Sequence, residues 1–226
     1  KPADILFLVS AAFSFAAAAF FPALVLGIFW KRANKWGATA GMLLAGIATT
    51  LLVYDLLRRA RGREVALAGA FMLLLTLQFT VQARHAQIDG VLCFLITLSM
   101  YGLLRHILLG PAPGWYVAGW VAAGLAVITK GVGFLPLFAL VPFAMLVRRG
   151  WQAPVSNIGR LSLVGLAAML IAIGSWLVPM IVVTAGDADL LAYRNEILFK
   201  QTVTRYANAW HHHEPFWYQF GVIATL

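Results

Sequence analysis

Residues 115–147 read WYVAGWVAAGLAVITKGVGFLPLFALVPFAMLV, a stretch in which Lys130 is the one charged side chain. A helix needs roughly 17–25 apolar residues to cross the hydrocarbon layer of a bilayer. The stretch therefore reads as two close-coupled apolar helices, about Trp115 to Ile128 and about Val132 to Val147, that turn at Lys130, Gly131 and Gly133. Strands of a membrane barrel would alternate apolar and polar over about 10 residues, and this stretch does not alternate. It predicts helices.

Runs of the same kind lie on both sides. They cover about Ile5–Trp30, with Pro22 inside, then Ala38–Tyr54, Val65–Val81, Asp89–Leu109 and Leu161–Val183, with Pro179 inside. Phe216–Leu226 reads as the start of a further span, and both chain ends read as fragment ends. The predicted fold is all-α: a polytopic transmembrane bundle of about seven spans plus a truncated one, with one outer-face loop over residues 184–215. Composition agrees. Hydrophobic residues make up 62% of the 226 and charged residues 11%, against roughly 25% charged in a soluble domain; mean hydropathy is +0.86.

The net charge of +9 does not read as a nucleic-acid surface, because most Arg and Lys sit in short loops beside apolar runs, where they act as topology signals. Arg58, Arg59, Arg61 and Arg63, then Arg105 with His106, then Arg148, Arg149 and Arg160 mark three loops as cytoplasmic. Alternation then leaves Gln82–Asp89, Lys130–Gly131 and Thr184–Pro215 on the outer face. Lys31, Arg32 and Lys35 break this parity, since they make the loop before the second span cytoplasmic too. A non-crossing early segment or a join of two sequences near Tyr54–Leu56 resolves the conflict. Cys93 stands alone, so no disulfide framework exists.

On the outer face the residues themselves admit more than one role. Lys130 ends an apolar run, and an ionisable residue at a membrane boundary is a functional candidate; it also fits a lysine snorkelling to the interface. Asp89 is a first-turn acid at the start of a helix or a site carboxylate. His211, His212, His213 and Glu214 are adjacent, so at most one or two of the histidines serve one metal, and zinc needs about four ligands. His211, His213 and Glu214 are weak metal candidates, and no metal or other cofactor is expected. Trp210, Phe216, Trp217 and Tyr218 form an interfacial aromatic belt.

Two resemblances fit these patterns. Phe13–Leu43, FSFAAAAFFPALVLGIFWKRANKWGATAGML, resembles the acetate-permease-like sodium/solute symporters, which makes residues 1–54 a two-helix, symporter-like hairpin. Ala83–Gly90 (ARHAQIDG), Gly124–Leu137 (GLAVITKGVGFLPL) and Phe199–Tyr218 (FKQTVTRYANAWHHHEPFWY) resemble, in combination and order, the GT-C membrane glycosyltransferases of the aminoarabinose transferase and protein mannosyltransferase type. Residues 55–226 then make a partial GT-C transmembrane domain, with 184–215 a periplasmic loop.

That resemblance implies an enzyme of the bacterial inner membrane, active on the periplasmic face. It would move a sugar from a polyprenyl-phosphate donor to lipid A, another glycolipid or a protein. Its partners are that donor, the acceptor and membrane lipids, with no nucleic acid. It also implies that Lys130 contacts the lipid phosphate, that Asp89 faces the active site as a catalytic carboxylate, and that Arg84 pairs with Asp89 or holds phosphate. Arg205, Tyr206 and His213 would recognise the lipid phosphate or the sugar. The family carries its principal acidic motif in a first outer loop; here the symporter-like piece stands in its place, with no Asp or Glu between Lys35 and Tyr54 and only Asp4 before it. The resemblance therefore implies a fragment without its principal base, inactive as it stands. The alternatives are a cation/solute symporter fragment or an artificial chimera without activity.

Overall fold

A computed structural model describes residues 35–76, 88–155 and 157–185, with 190, 191, 194 and 198. The first apolar segment, Ile5–Trp30, lies outside the described residues. Six α-helices are delimited among the described residues: α1 Lys35–Arg61, α2 Arg63–Leu75, α3 Ile88–Leu109, α4 Pro113–Lys130, α5 Leu140–Arg148 and α6 Ile158–Thr184. A 3-10 helix, Val132–Ala139, leads into α5. Every described element is helical, as the absence of apolar–polar alternation predicts.

Local chemistry sets the boundaries. Arg58, Arg59 and Arg61 occupy the last turn of α1, where cations complement the helix dipole. Gly62, at φ 94°, stops α1 and starts α2, and its N–H donates to the Arg58 carbonyl at 3.0 Å. α1 runs unbroken through Tyr54–Leu56, the place where the sequence points to a join. α4 opens on Pro113, where a missing N–H costs nothing.

The expectation of about seven spans is only partly met. Among the described residues two helices are long and apolar enough to cross a membrane, Asp89–Leu109 within α3 and Ile158–Thr184. α2 has 13 residues, or about 20 Å at 1.5 Å per residue, short of a bilayer core of roughly 30 Å. The expected single helix over Val132–Val147 is two pieces. Pro136 inside the 3-10 segment has no N–H to give an α-helical ladder. The tighter 3-10 winding rises about 2.0 Å per residue, so the pair still reaches about 30 Å.

The core sits between α3 and α4, which run antiparallel. Gly102 and Gly119 face each other there. A methyl on Gly119 would stand 2.9 Å from the Ser99 carbonyl oxygen and 3.4 Å from Gly102 Cα, and one on Gly102 would run into the Trp115 carbonyl. Small residues at such a crossing let two backbones touch. Leu103, Ile107, Tyr116 and Trp120 fill one side of it, with Leu137, Leu140, Phe143, Leu161 and Met169 packed around them. Leu92, Leu95 and Ala126 fill the other.

α6 lies along α4 in the same direction. Tyr116 hydroxyl and Ser162 Oγ share a 2.8 Å hydrogen bond, and Gly124 meets Met169 and Ala172. Leu44, Ile47, Leu51, Leu163, Leu170 and Ile171 are exposed, an apolar surface that suits lipid rather than water. Residues from Val178 onward form a second compact unit, within which the Thr184 hydroxyl donates to the Met180 carbonyl at 2.8 Å.

Substituting Gly119 by Val, or Gly102 by Leu, is expected to lower stability by about 1–3 kcal/mol through overpacking, because the atoms met are backbone and cannot rotate away. Gly114 has open space around it, so Gly114→Ala should leave the melt unchanged. Thermal unfolding followed by circular dichroism in detergent checks both.

Candidate functional site

The antiparallel pairing of α3 and α4 brings the first turn of one beside the last turn of the other. Asp89 is in the first turn of α3 and Lys130 closes α4. Lys130 Nζ donates to Asp89 Oδ1 at 2.5 Å. Two residues singled out separately in the sequence, in different motifs, thus form one ion pair. Asp89 is the first-turn acid that the sequence allows, and its carboxylate is the partner of Lys130. The lysine is 44% exposed and the aspartate 35%, so the pair is solvated and contributes about 0–1 kcal/mol. A stronger anion can exchange for the aspartate at little cost.

The glycines after Lys130 do structural work. Gly131 holds φ 61°, and its N–H donates to the Val127 carbonyl at 2.7 Å, which turns the chain out of α4. Gly133 is buried against the α4 backbone, where a methyl would run into Ala126 and Val127. Its missing side chain admits the protein's own backbone, not a phosphate. Lys130 stays exposed beside the turn.

Arg84, Arg205, Tyr206, His211, His213 and Glu214 lie outside the described residues. Among the described residues no group of three metal-ligating side chains is present.

The opposite end of α3 carries a network that the sequence reading does not single out. Asp55 of α1 accepts from Arg59 Nε at 2.6 Å and from the Tyr101 hydroxyl at 2.5 Å. Arg105 Nη1 donates to that hydroxyl at 2.5 Å and stands 3.9 Å from the carboxylate. The Arg105 guanidinium also lies 5.2 Å from the Trp115 ring centre, within cation–π range. Arg59 beside Asp55 holds its carboxyl below the ordinary value of 3.8, with Tyr101 and Arg105 acting in the same direction against partial burial. Asp55 is the first acid after a long acid-free stretch, and Tyr101 and Arg105 sit one turn apart; those were the available signals.

Residues 18–200 match the dolichyl-phosphate-mannose-protein mannosyltransferase family. The chain belongs to that family. The mannosyltransferase match runs across Tyr54–Leu56 and takes in Asp55, Asp89 and Lys130. Two transport proteins are similar to a shorter part. An uncharacterized symporter from Cupriavidus necator is 54% identical over 56 residues, 24% of this chain and 8% of its own length. The high-affinity proline transporter PutP from Bacillus subtilis is 50% identical over 52 residues, 23% of this chain and 11% of its own length. The chain thus spans about a tenth of either curated relative. No solved structure matches it. A mannosyltransferase-family chain with a symporter-like part is what the motifs imply.

Asp55→Asn should destabilise the contact between α1 and α3. Because the folded-state carboxyl titrates below its unfolded value, the stabilisation is present above the unfolded value and is lost as pH falls through the folded one. Wild type should therefore lose stability on acidification below about pH 4, and the Asn variant should lack that part of the acid limb. Unfolding midpoints measured against pH test this; parallel profiles for the two proteins would refute it.

Proposed function

We propose that the chain is part of a membrane glycosyltransferase that takes a sugar from a polyprenyl-phosphate donor, and that the Asp89–Lys130 end is where the donor phosphate is met. The single observation that carries this is the ion pair itself, an exchangeable cation and carboxylate held together at the end of the bundle by helices from two motifs. In the transfer, an acceptor oxygen forms a bond to the anomeric carbon while the bond from that carbon to the phosphate oxygen breaks. The phosphate leaves with the electron pair, and the acceptor proton passes to a base. Lys130 offsets the charge that grows on the leaving phosphate, a kind of stabilisation that is usually the largest catalytic term. Asp89, released from Lys130 when phosphate arrives, is placed to orient the acceptor or take its proton.

The acceptor is lipid A, another glycolipid or a protein, and the working face is periplasmic in a bacterial inner membrane. Charge placement supports that side. Arg58, Arg59 and Arg61 end α1, Arg105 lies in the far part of α3, and Arg148 ends α5, so the arginines favour the cytoplasm and Lys130 faces away. The symporter-like part supports a second reading, a fragment of a cation/solute symporter, through its identity to the two transport proteins. Uptake of sodium-coupled solute by vesicles carrying the chain would favour that reading.

Binding of a polyprenyl monophosphate to the purified protein separates the roles. Lys130→Met should weaken binding about tenfold, the value of one charge-assisted contact. Asp89→Asn should bind at least as well as wild type, since it frees the lysine, while slowing any transfer. Unchanged binding by the Lys130 variant would sink the assignment.

A further inference from the structure

A cavity of about 430 Å³ opens at the end of the bundle away from Lys130, between the α3–α4 turn and the start of α6. His106, Pro113, Pro154, Asn157, Arg160 and Val164 are among its lining. His106 is 4% exposed, and its Nδ1 accepts the Ala112 N–H at 2.9 Å. A neutral imidazole whose Nδ1 accepts carries its proton on Nε2. That Nε2 has no partner among the described residues, although buried polar groups are nearly always paired.

The facing wall offers donors as well. Asn157 takes φ 67°, and its carbonyl accepts the Leu161 N–H at 3.1 Å. The N–H groups of Ile158, Gly159 and Arg160 come before that first bond and have no acceptor inside the helix. Their dipoles favour an anion, and Arg160 adds a full positive charge. Gly159 has open space around it. The remaining wall is apolar, and it leads outward: Val164 is 52% exposed, and Ile171, two turns further along the same face of α6, is 72% exposed.

We propose that this cavity holds the phosphodiester headgroup of an anionic phospholipid, with an acyl chain lying along Val164 and Ile171. Arg160 and the first-turn N–H groups of α6 meet the phosphate oxygens, beside the buried His106 ring. A free phosphate would satisfy the donors but leave the apolar exit unused, which is why the lipid is the better fit. The site is separate from Asp89–Lys130 and does not depend on the glycosyltransferase reading.

Native mass spectrometry of the full chain in detergent tests it, with phosphatidylglycerol, diacylglycerol and inorganic phosphate as probes. Phosphatidylglycerol should stay bound, whereas diacylglycerol and inorganic phosphate should not. Arg160→Gln should lower phosphatidylglycerol affinity about tenfold, with Arg160→Lys recovering part of it and helicity unchanged by circular dichroism. Arg149→Gln removes an exposed charge that does not line the cavity and should keep the wild-type affinity. Inorganic phosphate binding as tightly as the lipid would overturn the lipid assignment. Equal losses from Arg149→Gln and Arg160→Gln, or no loss from either, would overturn the site.

Discussion

The pairings at the two ends of the α3–α4 hairpin depend on how closely these helices approach at Gly102 and Gly119. Where a methyl group would already collide with a carbonyl, the helices can cross only with both positions bare. That crossing fixes the register of the hairpin. From it follow Asp89 beside Lys130 at one end and Arg105 beside Trp115 at the other. A hydrophobic driving force between helices is weak in lipid, where tails are as apolar as leucine, so contact geometry and polar ties decide the arrangement.

The polar ties differ in kind. Lys130 and Asp89 are solvated and make one hydrogen bond to each other; water competes for both. Asp55 is held by Arg59 and Tyr101, with Arg105 nearby, and the network spans α1 and α3. It is arranged for holding. A carboxylate with several donors has much to lose from the removal of any of them, whereas a lone exposed pair has little.

Much of the fold was legible in the sequence because lipid imposes a simple rule, that apolar runs of a certain length become helices. Trp115–Ile128 differs from the observed α4, Pro113–Lys130, only at its ends, where Pro113 and Gly131 set the limits. Val132–Val147 was legible as apolar but not as broken, since hydropathy does not register the N–H that Pro136 lacks. Lys130 and Asp89 were each legible as unusual charges; their pairing was not, because it depends on a register set by two glycines in the middle of the helices. The network at Asp55 stayed hidden for a similar reason. Its members come from two helices, and a pattern along one chain segment does not show a meeting in space.

The unbroken course of α1 through Tyr54–Leu56 makes residue count there an angular quantity. Each residue turns a helix by about 100° and advances it about 1.5 Å. Ala45 and Thr49 are buried while Leu44, Ile47 and Leu51 are exposed, and Asp55 is fixed to α3. Adding or deleting one residue between Leu51 and Asp55 would swing the earlier face a quarter-turn or more and point Thr49 away from its protein neighbours. Four residues would nearly restore the phase. Sequences of different origin can therefore share this helix only at certain lengths, and the observed length is one at which the small side chains face inward.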